Sequence, residues 1–146
     1  MRRAVAVLPN GSWPLAEAAG TVTLAYHDRH RRRVRMNDDG GADFLLDLPQ
    51  AAVLRQGDGL ALEGGSYIQV RAALEAVADI AASSPEHLAR LAWHIGNRHV
   101  PVQVLPDGVL RILDDDVVVD MVCGLGAQVV RLRAPFAHEA VAYAVG

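Results

Sequence analysis

Hydrophobic and polar positions alternate in short runs through the first half of the chain and recur at helical spacing in parts of the second. Thr21-Val22-Thr23-Leu24-Ala25-Tyr26 is rich in strand formers, and Arg29 to Met36 alternates. Asn37-Asp38-Asp39-Gly40-Gly41 is a strong turn signal, and Phe44-Leu45-Leu46-Asp47-Leu48 reads as the following strand, closed by Pro49. Gly57-Asp58-Gly59 and Glu63-Gly64-Gly65-Ser66 bracket Leu60-Ala61-Leu62, and Tyr67-Ile68-Gln69-Val70 completes the set. Short strands separated by turns predict a small antiparallel barrel or sandwich.

The second half mixes periods. Leu74 to Ala82 fits either strand or helix. A helix follows, capped by Ser83 or Ser84, with Pro85 in its first turn and Leu88, Leu91, Ala92 and Ile95 on one face; Gly96 is expected to stop it. Val100 to Leu105, the turn Pro106-Asp107-Gly108 and Val109 to Leu113 read as a hairpin. Asp114-Asp115-Asp116 opens a second helix through Val117, Val118, Met121 and Val122, ended by Gly124-Leu125-Gly126, and Val129 to Arg133 is a last strand. With Leu74–Ala82 as a strand the order is β-α-β-β-α-β, a ferredoxin-like unit. The fold class is therefore α+β, with a β domain over 1–72 and a ferredoxin-like domain over 73–146.

A chain of 146 residues, half of them hydrophobic, can bury one ordinary core or two small ones. No apolar run is long enough to span a bilayer, and Met1 to Leu8 imitates a signal peptide but breaks off at Pro9-Asn10-Gly11. Cys123, the single cysteine, permits no internal disulfide, so a reduced cytoplasmic setting is expected. The 14 basic residues are all arginine, which excludes a Walker-type lysine, a Schiff-base lysine and a lysine general base. No spaced nucleophile motif or glycine-rich phosphate loop is present, so an enzyme is disfavoured.

The least ordinary stretch is His94-Ile95-Gly96-Asn97-Arg98-His99-Val100-Pro101, a short polar link between a helix and a proline-anchored strand. Its plain reading is a helix C-cap carrying a favourable cation, Arg98 or protonated His99. Yet Trp93 to Gln103 closely resembles the Gly-Asn-Arg-His signature of UreE-type urease accessory proteins, the nickel metallochaperones. The resemblance continues through Leu110-Arg111-Ile112, Asp120-Met121, Leu125-Gly126, Pro135-Phe136, Glu139-Ala140 and Tyr143. It reaches back more loosely to Arg31-Arg32-Arg33-Val34-Arg35, Asp39-Gly40 and Gly57-Asp58.

That resemblance implies an N-terminal β domain likened to peptide-binding chaperone modules and a C-terminal domain that dimerises. It implies that His99 from both subunits meets around nickel, with zinc or copper as the alternatives left open. It further implies a homodimer whose partners are the urease apoprotein and its accessory proteins, including the accessory GTPase, with no nucleic acid and no membrane. A two-fold axis sets one residue type opposite itself, so one His per chain supplies two imidazoles, and imidazole suits Ni²⁺. The sequence departs from the family in two places. Leu113-Asp114-Asp115-Asp116 carries carboxylates where some members have histidines, and the sequence stops at Gly146 after Tyr143-Ala144-Val145 without a histidine-rich tail. Auxiliary or storage metal sites are in question on both counts.

Other residues read more plainly. Asp114, Asp115 and Asp116 suit a helix N-terminus; His94 is expected to be a surface or partly packed residue near His99; His87 is expected on a helix surface; and for His138, in the C-terminal segment, the sequence points to no particular partner. His27 and His30 are three apart, a spacing that puts them on opposite sides of a strand. Cys123, among Val122 and Leu125, reads as a buried thiol. Arg29, Arg31, Arg33 and Arg35 fall on one face of a strand, the basis of the alternative reading, an RNA-associated assembly factor. A net charge of −3, with only Tyr26 near to stack a base, favours a solvated face or a protein-docking patch.

Overall fold

The computed structural model describes residues 1–140; the expected end of the family resemblance at Tyr143, and Ala144 to Gly146, lie outside them. The chain forms two compact units, one of Met1–Ala73 and one from Leu74 onward. The class is α+β: strands alone form the sheet of the first unit, and both α-helices belong to the second.

The first unit is a six-stranded sheet. In chain order its strands are β1 (Arg2–Leu8), β2 (Ala18–Leu24), β3 (His30–Asn37), β4 (Asp43–Val53), β5 (Gly59–Leu62) and β6 (Tyr67–Ala72), arranged β2-β6-β5-β1-β4-β3. The sheet is mixed rather than wholly antiparallel, because β1 pairs parallel with β4 and β2 parallel with β6. The run resembling a leader is β1, an inner strand with Ala4 fully buried. Alternate residues from the strands fill one core, with Phe44, Leu46, Leu60, Ile68 and Val70 fully buried. Pro49 does not close its strand. β4 runs on to Val53 by bulging over Leu48–Ala51, where the pairing with β3 jumps from Arg33↔Asp47 to Arg31↔Ala52. A bulge tolerates a residue that lacks an N–H.

Buried packing, and not turn chemistry alone, explains the glycines at 57 and 59. Asp58 accepts hydrogen bonds from the backbone N–H groups of Asn10 and Arg55, and the Trp13 indole N–H donates to the Gly57 carbonyl at 3.1 Å. Trp13 lies flat over Gly59 and tilts against Tyr67, ring centroids 5.3 Å apart.

Ion pairs hold the strands across the sheet surface. Asp38 sits well below the usual carboxylate range because the Arg2 guanidinium and the Ala42 N–H donate to it. Asp39 is lowered first by the Thr21 hydroxyl, Asp43 by Arg35 and Asp47 by Arg3. Each contributes stability that is present above its unfolded value of about 4 and is lost as pH falls through its depressed folded value. The first unit should therefore melt at a constant temperature from neutrality to about pH 5 and at falling temperatures below about pH 4. Melting curves on the wild type and on Asp38→Asn and Asp47→Asn check this: the variants should lose less on acidification. Identical acid slopes would contradict it.

The second unit runs β7 (Glu75–Ala81), α1 (Pro85–Asn97), β8 (Gln103–Leu105), β9 (Val109–Leu113), α2 (Asp116–Gly124) and β10 (Gln128–Ala134). Its sheet order, β10-β7-β9-β8 with every ladder antiparallel, is that of a ferredoxin-like fold. Leu91 and Ile95 of α1 and Val118, Val119 and Val122 of α2 cover one sheet face at Ala78, Ile80, Leu110 and Ile112. On the other face Arg111 bridges to Asp79 through two hydrogen bonds, at 2.7 and 2.9 Å. The segment after β10 crosses that face: Arg111 donates to the Pro135 carbonyl, the Ala137 N–H donates to the Gln103 side chain, and Phe136 is fully buried. At Glu139 it meets the edge strand: the Glu139 N–H donates to the Val102 carbonyl and the Glu139 carboxylate accepts from the Val104 N–H.

Candidate metal centre

Ser84 caps α1, its hydroxyl accepting from the His87 N–H at 3.0 Å, and Pro85 occupies the first turn. The helix does not stop at Gly96. It continues to Asn97, and the residue that turns the chain out is His99, with φ of 58°. The His99 N–H donates to the Gly96 carbonyl and the Val100 N–H to the Ile95 carbonyl, the paired bonds of a Schellman C-cap. Val100 packs against the core cluster that contains Ile95, which completes the motif. Glycine is the usual residue at this left-handed position, where a side chain costs roughly 1–2 kcal/mol. His99 holds that position with its side chain exposed.

The neighbours fix the junction. Arg98 donates through Nε to the Met121 sulfur of α2 at 3.0 Å, which ties the end of α1 to the second helix. Pairing of Val77 with Leu113 places the end of α1, the start of α2 and the entry to β7 at the same end of the sheet. Trp93 and Val117, each 64% exposed, are apolar side chains on the two helices toward that end.

The three aspartates also lie there, already occupied. Asp115 caps α2, accepting from the N–H groups of Val117 and Val118. Arg131 pairs with Asp114 at 3.3 Å and with Asp116 at 2.9 Å. Their place at a helix N-terminus is the one expected of acids in that pattern.

The remaining histidines make contacts of their own. His94 is half-buried with its ring edge-on to Trp93, centroids 5.0 Å apart. His87 is more than helix surface: Ser83 N–H donates to Nδ1 at 2.9 Å, so Nε2 carries the proton and donates to the Leu125 carbonyl at 2.8 Å. It thereby pins the start of α1 to the end of α2. His138 stacks on Phe136, His27 lies in the short turn Tyr26–Asp28, and His30 opens β3. Two expectations are corrected. Cys123 is exposed, because α2 turns its Val118, Val119 and Val122 side inward. Arg29 is not on the arginine face of β3; it precedes the strand and is buried. Among the described residues, no three His, Cys, Asp or Glu side chains gather closely enough to hold a metal ion within one chain. No helix among them is long and apolar enough to cross a membrane.

Comparison with known proteins covers both units. The family model "UreE urease accessory protein, N-terminal domain" matches residues 4–73, and its C-terminal counterpart matches residues 75–146. The chain is 51% identical over 144 residues to the urease accessory protein UreE of Bradyrhizobium sp. (strain ORS 278), covering 99% of this chain and 68% of that protein. It is 47% identical over 146 residues to the protein of that name from Rhodobacter capsulatus, covering 100% of this chain and 89% of the relative. The relative from Beijerinckia indica subsp. indica is 45% identical over 144 residues, covering 99% of this chain and 82% of its own length. With both domains matched and identities of this size along nearly its whole length, the chain belongs to the UreE urease accessory protein family.

Proposed function

We propose that this protein is a metallochaperone of urease maturation that binds nickel between two copies of itself and releases it for assembly of the urease active site. It is not a catalyst. The observation that carries the reading is His99, exposed and held in a left-handed cap where glycine would fit better. One imidazole is too few ligands for Ni²⁺, and a two-fold axis through this end of the second unit supplies another. The exposed Trp93 and Val117 give such a contact apolar area. Carboxylates or water complete the shell, and so sparse a protein ligand set lets an acceptor take the metal. Zinc or copper can occupy the same imidazoles.

On this reading the unit from Leu74 onward carries dimerisation and the metal, while residues 1–73 contact protein partners and hold no metal. The partners are the urease apoprotein and its accessory proteins, among them the accessory GTPase, in the cytoplasm.

Isothermal titration with nickel tests the assignment. The wild type should take up one tight nickel per two chains, and His99→Ala should lose that site with unchanged circular dichroism. His94→Ala and His138→Ala should bind nearly as the wild type does. Undiminished nickel binding by His99→Ala would overturn the assignment.

A further inference from the structure

On the reading that His99 binds nickel, we propose that Arg98 limits how firmly the site holds it. The guanidinium, one residue away and unneutralised, repels a divalent cation. Arg98 is the C-cap residue of α1, and it is exposed. Its only side-chain partner among the described residues is the Met121 sulfur, reached through Nε at 3.0 Å. A thioether is a weak acceptor without charge, so this contact holds the guanidinium in place and leaves its charge intact.

The other arginines of the second unit are used differently. Arg90 pairs with Glu86, Arg111 with Asp79 and Arg131 with Asp114 and Asp116, while Arg133 donates to the Leu74 carbonyl. The aspartates at the same end of the sheet are thus taken up by Arg131 or, for Asp115, by the start of α2. None of them pairs with Arg98.

An arginine stays charged at every pH a protein meets, so the repulsion does not switch off. A two-fold axis that brings two His99 rings to one ion brings two Arg98 guanidiniums with them. Each then stands on the order of 10 Å from the ion, a separation at which charges interact at low salt and are screened at high salt. Two guanidiniums against a doubly charged ion should weaken binding about five- to tenfold at roughly 10 mM salt, and hardly at all at about 0.5 M. The imidazoles select the metal, and the arginines keep it transferable.

Arg98 also has a structural use, since a cation at a helix C-terminus steadies the helix. The two roles differ in what a charge-free replacement does. Loss of a structural tie loosens the junction and the site with it, whereas loss of a repelling charge tightens the site.

Isothermal titration of the full chain with nickel, in a non-coordinating salt at about 10 mM and about 0.5 M, tests this. Arg98→Gln should bind nickel about five- to tenfold more tightly than the wild type at low salt, and within about twofold of it at high salt. Its helical melting temperature should be equal or slightly lower. Arg98→Lys keeps the charge and should stay within about twofold of the wild type throughout. Arg98→Met, a second charge-free variant, carries the same expectation if Arg98→Gln fails to fold. Nickel affinity equal to or weaker than the wild type's in the charge-free variants at low salt, or a gain that persists undiminished at high salt, would overturn the proposal. Those results leave the His99 assignment standing. Wild-type nickel binding that is absent, or undiminished in His99→Ala, would remove both.

Discussion

Replacing His99 by Gly is expected to make the second unit more stable while abolishing nickel binding. With φ at 58°, His99 pays a left-handed backbone cost of about 1 kcal/mol that glycine does not. Glycine's greater freedom in the unfolded chain returns part of that gain, leaving a net of roughly 0.5 kcal/mol. Both α-helices belong to this unit, so the helical circular dichroism reports its melting. A rise of about 2–4 °C is expected for a domain of this size. His99→Ala keeps the left-handed cost and should melt near the wild type, with nickel binding equally lost. The pair of variants separates the two roles of the residue. A His99→Gly protein that melts lower than the wild type would mean that the histidine ring, rather than its metal, holds the junction together.

The largest loss of stability from a small change is expected at Gly59. A Cβ added there would stand 2.6 Å from the Trp13 ring, an approach that real atoms do not make. Trp13 is almost fully buried, and its N–H is bonded to the Gly57 carbonyl, so neither ring nor strand can yield cheaply. Gly59→Ala should expel the indole, break that bond and destabilise the first unit by about 2–4 kcal/mol. Fluorescence reads this directly, because Trp93 is the only other tryptophan and can be removed as Trp93→Phe. Emission from Trp13 should shift to the red in Gly59→Ala. An unshifted spectrum with unchanged stability would refute the packing described for this corner.

Local patterns in the sequence carried most of the elements. The alternation at Arg29–Met36, the Asn37–Gly41 turn and the Leu88–Ile95 stripe each correspond to an element near the expected place. The β-α-β-β-α-β order was legible because each of its turns is marked by Gly, Pro or Asp. Pairing between distant strands was not. Alternation tells which residues face a core but not which strand lies alongside, so the parallel ladders of β1 with β4 and β2 with β6 left no local trace. The bulge at Leu48–Ala51 misled for a related reason, since proline ends a regular ladder but is accommodated in a bulge.

The site was legible as a motif but not as a geometry. Gly96 looked like the stop because glycine is the common C-cap, yet the left-handed position falls three residues later on His99. Only the hydrogen bonds to the Gly96 and Ile95 carbonyls reveal this. The Arg111–Asp79 pair and the burial of Phe136 were likewise out of reach, because they join residues far apart in sequence. Arg131 offered no signal that it would occupy Asp114 and Asp116.

On the proposed function, one nickel ion is shared by His99 of two chains. Native mass spectrometry of the protein loaded with a slight excess of nickel measures this in one spectrum. The expected result is a dominant species of two chains with one nickel, and a dimer without nickel from His99→Ala. A dominant species of one chain holding one nickel, persisting in His99→Ala, would contradict it.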